Sequence, residues 1–424
     1  MKILWFANAP ANAVEYLPEY LKAGILSGGW LISLDKAIQT KLELHIAFYY
    51  AKRNDSFKYL NTTYHPIGSK NWKFIALKEI FWKKFIDQQD LPKYLEIINS
   101  VKPDIIHIHG TENPFGCIIG KTDVPVVTSI QGDITVIQHK YFSGIEHKYL
   151  NTARPLSIGF KEILWGNNFR HNYRSFIEMK KREERNLLNS KYIIGRTDWD
   201  RRITSIQAPN SNYFRCDEIL RPSFYQYKWT PKQQKEQIII HTISGNVYFK
   251  GFETLCQAIC ELNKLGIKVD WRVAGIKETD LIVKIVKKKL KNKYPVYGLR
   301  FLGNQTGQQL VEFLLEADIY VMPSHIENSP NSLCEAMLLG MPCIATFAGG
   351  AGSILKDGEE GIMIQDGDPW ALAGAILELY RDPVRAQKYG QNARQRALIR
   401  HDKETITYGL IEIYQNILGL NSKE

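Results

Sequence analysis

The sequence is poor in the features that mark special environments. Its 424 residues include six cysteines, at 117, 216, 256, 260, 334 and 343, and none forms a Cys-x-x-Cys pair. A disulfide scaffold and a zinc ribbon are therefore not expected, and a reducing compartment is. Cys256 and Cys260 stand one helical turn apart on an apolar face, which reads as core packing. Long hydrophobic runs are also missing. The opening "KILWF" is too short for a signal-peptide core or a membrane span, so a cytoplasmic protein is expected. No Gly-x-Gly-x-x-Gly follows the first strand, which argues against a dinucleotide oxidoreductase. Short-period repeats and low-complexity segments are lacking. So is any helix-turn-helix, zinc finger or RNP-like run, and no nucleic-acid partner is expected.

What is present points to ordinary globular packing, with 44% hydrophobic and 23% charged residues. The length suits two or three domains. The net charge of +11 is uneven: residues 1–225 hold 31 Lys+Arg against 22 Asp+Glu, and residues 226–424 hold 24 against 22. A basic first half suits an anionic substrate or an anionic lipid surface.

Apolar stretches such as "KILWFAN", "LELHIAFYY", "PDIIHIHG", "VPVVTSIQG" and "SKYIIGRTD" alternate with helical stretches. The pattern restarts after about residue 225 with "QIIIHTISG", "KVDWRVAG", "LRFLG", "DIYVMPS", "PCIATFAGG" and "GIMIQ". Continuous Val/Ile/Leu strands separated by helices indicate parallel sheets covered on both faces. The expected fold is α/β, with two doubly wound Rossmann-like domains facing a central cleft, joined near "ILRPSFYQYKWTP". The expected boundaries are 1–225, 226–400 and a C-terminal helix at 401–424 packing back on the first domain. Ligands of such sheets bind beyond the carboxyl ends of the strands.

The stretch "HIENSPNSLCE" (325–335) follows one of these strands and opens a helix. It places Glu327 and Glu335 eight positions apart around a helix start. Pro330 suits a first turn, and the unpaired N–H groups there favour a phosphate. Two carboxylates beside an anion site would repel the anion, but they suit neutral polyols on either side of a diphosphate. A nucleoside diphosphate sugar has that layout. Either Glu alone reads equally well as a cap or a surface residue.

"ENSPNSLCEAMLLGMPCIATFAGG" resembles the donor-binding signature of glycosyltransferase family 4, retaining enzymes of the GT-B fold. The resemblance extends over the second half through "KGFETL", "RFLG" and "ADIYVMPS". In the first half it runs through "SGGW", "PDIIHIHG" and "VTSIQGD". It implies that Glu335 binds the nucleotide ribose and Glu327 contacts the transferred sugar, with the amides around Asn331 and Ser332 serving sugar and phosphate. Lys250, before Gly251, matches the family's phosphate lysine and would neutralise the leaving diphosphate. Lys250 and Glu327 are the catalytic candidates. Two departures stand out. Ser244 occupies a place where the family often has Arg, and Gln131 one where many relatives have His.

Gly28 and Gly29 lie where the first domain would close on the diphosphate, since glycine allows close backbone approach. A plain turn is the competing reading. His107 and His109 share a strand face; His107 reads as structural, while His109, at the strand end, is an acceptor-side candidate with Gln131 and Asp133. Asp133 is a candidate base toward an acceptor hydroxyl. No Asp-x-Asp pair or third ligand to the histidines makes a metal site, and no cofactor is expected beyond the nucleotide sugar as co-substrate. The basic, aromatic stretch 69–86 reads either as a core helix with solvated lysines or as a helix for an anionic membrane surface. The expected function is a metal-independent, retaining transfer of a hexose from a UDP- or GDP-sugar to a saccharide acceptor, taken to be lipid-linked. The setting implied is polysaccharide or lipopolysaccharide synthesis on the inner face of the membrane. A nucleotide-sugar epimerase or a phosphorylase on the same fold, and a non-catalytic GT-B binding module, are the alternatives.

Overall fold

The computed structural model describes residues 1–18, 28–50, 52–68, 90–146, 169–232 and 236–420. The stretch 69–86 lies outside them. Contacts divide the described chain into two units. One comprises residues 1–138, 169–219 and 401–420; the other comprises 139–146 and 220–400.

The first unit is built on an eight-stranded sheet. Its strands are β1 (Lys2–Ala7), β2 (Glu43–Tyr49), β3 (Phe57–Tyr59), β4 (Thr62–Ile67), β5 (Ile105–His109), β6 (Val126–Ser129), β7 (Tyr192–Gly195) and β8 (Asn212–Arg215). They lie in the order β3-β4-β2-β1-β5-β6-β7-β8. Every pairing is parallel except β3 with β4. The covering helices are α1 (Gly29–Ile38), α2 (Leu91–Val101), α3 (Ile134–Lys140), α4 (Phe169–Leu188) and α5 (Asp198–Gln207). Strand β1 shows why a continuous apolar run suits this place. Successive side chains point to opposite faces, so Ile3, Trp5 and Ala7 enter one core while Leu4 and Phe6 enter another.

The second unit has a six-stranded, wholly parallel sheet: β9 (Gln237–Ile243), β10 (Lys268–Ala274), β11 (Leu299–Gly303), β12 (Ile319–Met322), β13 (Cys343–Thr346) and β14 (Ile362–Ile364). Its order is β11-β10-β9-β12-β13-β14. Around it lie α6 (Pro222–Gln226), α7 (Phe252–Lys264), α8 (Leu281–Leu290), α9 (Gly307–Glu316), α10 (Asn331–Leu339), α11 (Pro369–Arg381) and α12 (Pro383–Arg400). The strand order reverses at β9, beside β12. Ligands bind at such a reversal, beyond the strand ends, and here those ends lead into Ser244–Lys250 and Pro323–Glu327.

The boundaries differ from those expected. The units part between Ile219 and Leu220, not at 225, because Leu220 and Phe224 are buried in the second core. Residues 139–146, expected in the first domain, pack in the second unit: Tyr141 and Phe142 lie against Tyr248. The last helix, α13 (Lys403–Ile417), contributes Ile406, Leu410, Ile413, Tyr414 and Ile417 to the first unit's core. Among the described residues, no helix is long and apolar enough to cross a membrane.

Candidate functional site

In the second unit, the loop after β9 ends in a short turn that presents Lys250. Gly251 follows at φ +68, and a Cβ there would sit 1.9 Å from the Pro323 carbonyl oxygen. Only glycine lets the lysine loop pass so close to the loop after β12. His325 locks the two loops together, since its backbone N–H donates to the Phe249 carbonyl at 2.8 Å. Lys250 Nζ then reaches Glu327 Oε1 at 2.5 Å, and Ser324 Oγ donates to the same oxygen at 2.8 Å. The Glu327 carbonyl accepts from the Gly350 N–H at 2.9 Å. Gly349, at φ +56, would place a Cβ 2.0 Å from that carbonyl, which accounts for the glycine pair after β13.

Helix α10 opens at Asn331 behind Pro330, so its first-turn N–H groups have no helical acceptor. Asn331 Oδ1 is buried and has no hydrogen-bond partner among the described residues. An unpaired buried acceptor is costly, and here it sits at a helix mouth. Glu335, one turn on, has a side chain only 5% exposed and takes a fork from Arg221: Nε to Oε1 and Nη2 to Oε2, each at 2.6 Å. Arg221 itself caps α6 and stacks 4.7 Å over the Phe224 ring. Ser244 follows β9 half-buried, its Oγ 3.5 Å from the Gly245 carbonyl.

Below the lysine loop, the buried His325 ring lies between Glu253 Oε1 (2.6 Å) and Asp366 Oδ2 (3.1 Å). Burial alone would lower its pKa, but the two carboxylates more than offset this and raise it. The His325 ring thus ties β12's loop to α7 and to the segment after β14.

The first-unit candidates are arranged differently. Gly28 is the N-cap of α1 at φ +80, with Gly29 as the first helical residue. His107 is bonded on both ring nitrogens, to Tyr414 Oη and Ser129 Oγ at 2.6 Å each. Burial pushes its pKa down to about 3, so it is neutral. His109 is 3% exposed, packed between Trp5 and Trp30. Neither of its nitrogens has a partner among the described residues, and burial holds its pKa well down. It lines a small internal cavity with Gln131, Arg196 and Glu218. Arg196 fixes this corner through the carbonyls of Ile130 and Gln131 and an ion pair with Glu218. Asp133 is 2% exposed and caps α3 through the Val136 N–H at 2.8 Å, with Gln207 at 3.3 Å. That cap competes with a role as acceptor base.

The structure therefore groups Lys250, Glu327, Ser244, Asn331, Ser332 and Glu335 at the strand ends and helix mouth of one unit. Sequence reasoning missed Arg221, His325, Glu253 and Asp366. Arg221 stands in the stretch read as a joining segment. Its Arg-Pro at a helix start was the available signal.

Residues 226–396 match the family model described as glycosyl transferases group 1. The lipopolysaccharide core biosynthesis glycosyltransferase LpsE of Rhizobium meliloti is 27% identical over 176 residues, 41% of this chain and 49% of that protein. The chain spans less than half the length of the curated relatives it matches. Sucrose-phosphate synthase from Thermosynechococcus elongatus has TM-score 0.69 at 14% identity, covering 99% of both chains. Anabaena HepE, solved with UDP and glucose, has TM-score 0.64 at 15% identity, covering 97% of this chain and 98% of that one. The fold is that of GT-B glycosyltransferases.

Proposed function

We propose that the chain is a retaining hexosyltransferase of glycosyltransferase family 4. Its donor is a nucleoside diphosphate sugar, UDP first and GDP second. Its acceptor is a hydroxyl of a lipid-linked saccharide, in bacterial surface-polysaccharide or glycolipid synthesis. One observation carries this reading: at a single helix mouth, where Asn331 Oδ1 has no partner among the described residues, Glu327 and Glu335 are each held by a cation, Lys250 and Arg221.

In the reaction, the C1–O bond to the diphosphate breaks and a C1–O bond to the acceptor forms on the same face. The acceptor's proton passes to the leaving diphosphate, so the protein need not supply a base. Lys250 stabilises the charge that develops on the leaving group. Glu327 and Glu335 hold sugar and ribose hydroxyls, and the α10 N–H groups hold phosphate. The work of the protein is positioning and electrostatics, and no metal enters this account. LpsE's lipopolysaccharide role supports the acceptor class. The first-half charge and the 69–86 stretch support an anionic membrane surface on the cytoplasmic side.

Calorimetry with UDP, GDP, ADP and CMP on wild type and Glu335→Ala tests this. One diphosphate binding at micromolar level, and weakened in the variant, supports the donor site. No binding by any of them removes it and leaves a non-catalytic module. Turnover of a bound nucleotide sugar without acceptor would point to an epimerase instead.

A further inference from the structure

The position six residues before Lys250 is Ser244, so the donor site lacks a cation there. A different cation, Arg221, is built into Glu335. We propose that Arg221 is a positioning residue of the nucleotide site, holding the Glu335 carboxylate ionised and in one orientation so that the ribose diol becomes the recognised feature of the donor. This rests on the donor-site reading above.

Three observations carry it. The fork is bidentate at 2.6 Å on both oxygens, a geometry that fixes a carboxylate in plane as a lysine cannot. Glu335 is nearly fully buried, so without a partner its charge would be disfavoured. The guanidinium is itself held, stacked on Phe224 by one face. Its third nitrogen, Nη1, points to Gly307 at the start of α9. A Cβ built at Gly307 would sit 3.3 Å from Nη1. Arg221 thus ties α6 to α10 through one carboxylate, with the start of α9 beside it.

The test uses the full chain and whichever of UDP, GDP and ADP binds wild type best, alongside its 2′,3′-dideoxy counterpart. Wild type is expected to favour the ribonucleotide by about tenfold or more. In Arg221→Gln that preference should collapse toward unity, with dideoxy affinity changed less than threefold. Arg221→Lys should retain part of it. Equal weakening of both nucleotides overturns the proposal and assigns Arg221 to phosphate contact or to stability. If Arg221→Gln does not fold, a reduced preference in folded Arg221→Lys supports the proposal, and an unchanged preference overturns it. Absence of nucleotide binding to wild type defeats the donor site itself. Glu335→Ala losing the ribo preference while Arg221→Gln keeps it defeats only the role of Arg221.

Discussion

The two units carry similar sheets and similar polar residues at their strand ends, yet the candidate residues in them meet charge in opposite ways. In the second unit, Lys250–Glu327 and Arg221–Glu335 are ion pairs at a helix mouth, the cations 27% and 22% exposed. In the first unit, His107 and His109 are sealed beneath Trp5 and Trp30 and kept neutral by burial. Asp133 and Glu183 are likewise turned inward. Glu183 accepts from the backbone N–H groups of Ile134 and Thr135 and from two threonine hydroxyls. The difference teaches that a polar residue after a strand is only a candidate. What separates a site from a scaffold is whether its charge survives folding and whether solvent or ligand can reach it.

The contrast can be broken most sharply at Lys250. Lys250→Ala is expected to lower kcat by roughly 10²–10³, the scale of losing one preorganised group at a developing oxyanion, with nucleotide affinity changed far less. Single-turnover kinetics on a nucleotide sugar would check this, and an unchanged kcat would move Lys250 to the ranks of surface lysines. Next in size is Glu335→Ala, expected to weaken nucleoside diphosphate binding by about 1–3 kcal/mol, as for a lost charged hydrogen bond. Calorimetry on a variant shown by circular dichroism to be folded decides it. Unaltered affinity would mean that the Arg221 fork is purely structural.

How much of this was legible depended on how far apart in sequence the partners lie. The strands were readable because their apolar runs are local. Glu327, Asn331 and Glu335 were readable because one helix start brings them together within nine positions. The Arg221–Glu335 pair spans 114 residues, and the His325 contacts to Glu253 and Asp366 span 72 and 41, so no local pattern announces them. Asp133 was ambiguous for another reason. A carboxylate two residues after "IQ" reads alike as base or cap, and only the Val136 N–H at 2.8 Å makes the capping visible. The 139–146 segment runs out of helix α3 without a break in pattern, and its packing against Tyr248 is a tertiary choice.

The smaller tests probe the first unit. Asp133→Asn keeps a good N-cap and removes the charge, so turnover and melting temperature should both be close to wild type. Asp133→Ala should lose about 1 kcal/mol of stability with kcat unchanged. A hundredfold loss of kcat in Asp133→Asn would instead make it the acceptor base and erase the contrast between the units. The finest test is titration of Glu183, whose carboxyl is pushed up to about 7 by burial and by Asp133 beside it. Its pKa in the unfolded chain is lower, near the ordinary 4.5. Between those values the folded form keeps a proton that the unfolded form releases, so stability falls as pH rises through that window. Glu183→Gln cannot ionise and removes this slope. Thermal melts from pH 5 to 7.5 should therefore show the variant gaining on wild type as pH increases. A gap that stays constant across that range would mean Glu183 is charged throughout, and burial would then not decide its protonation.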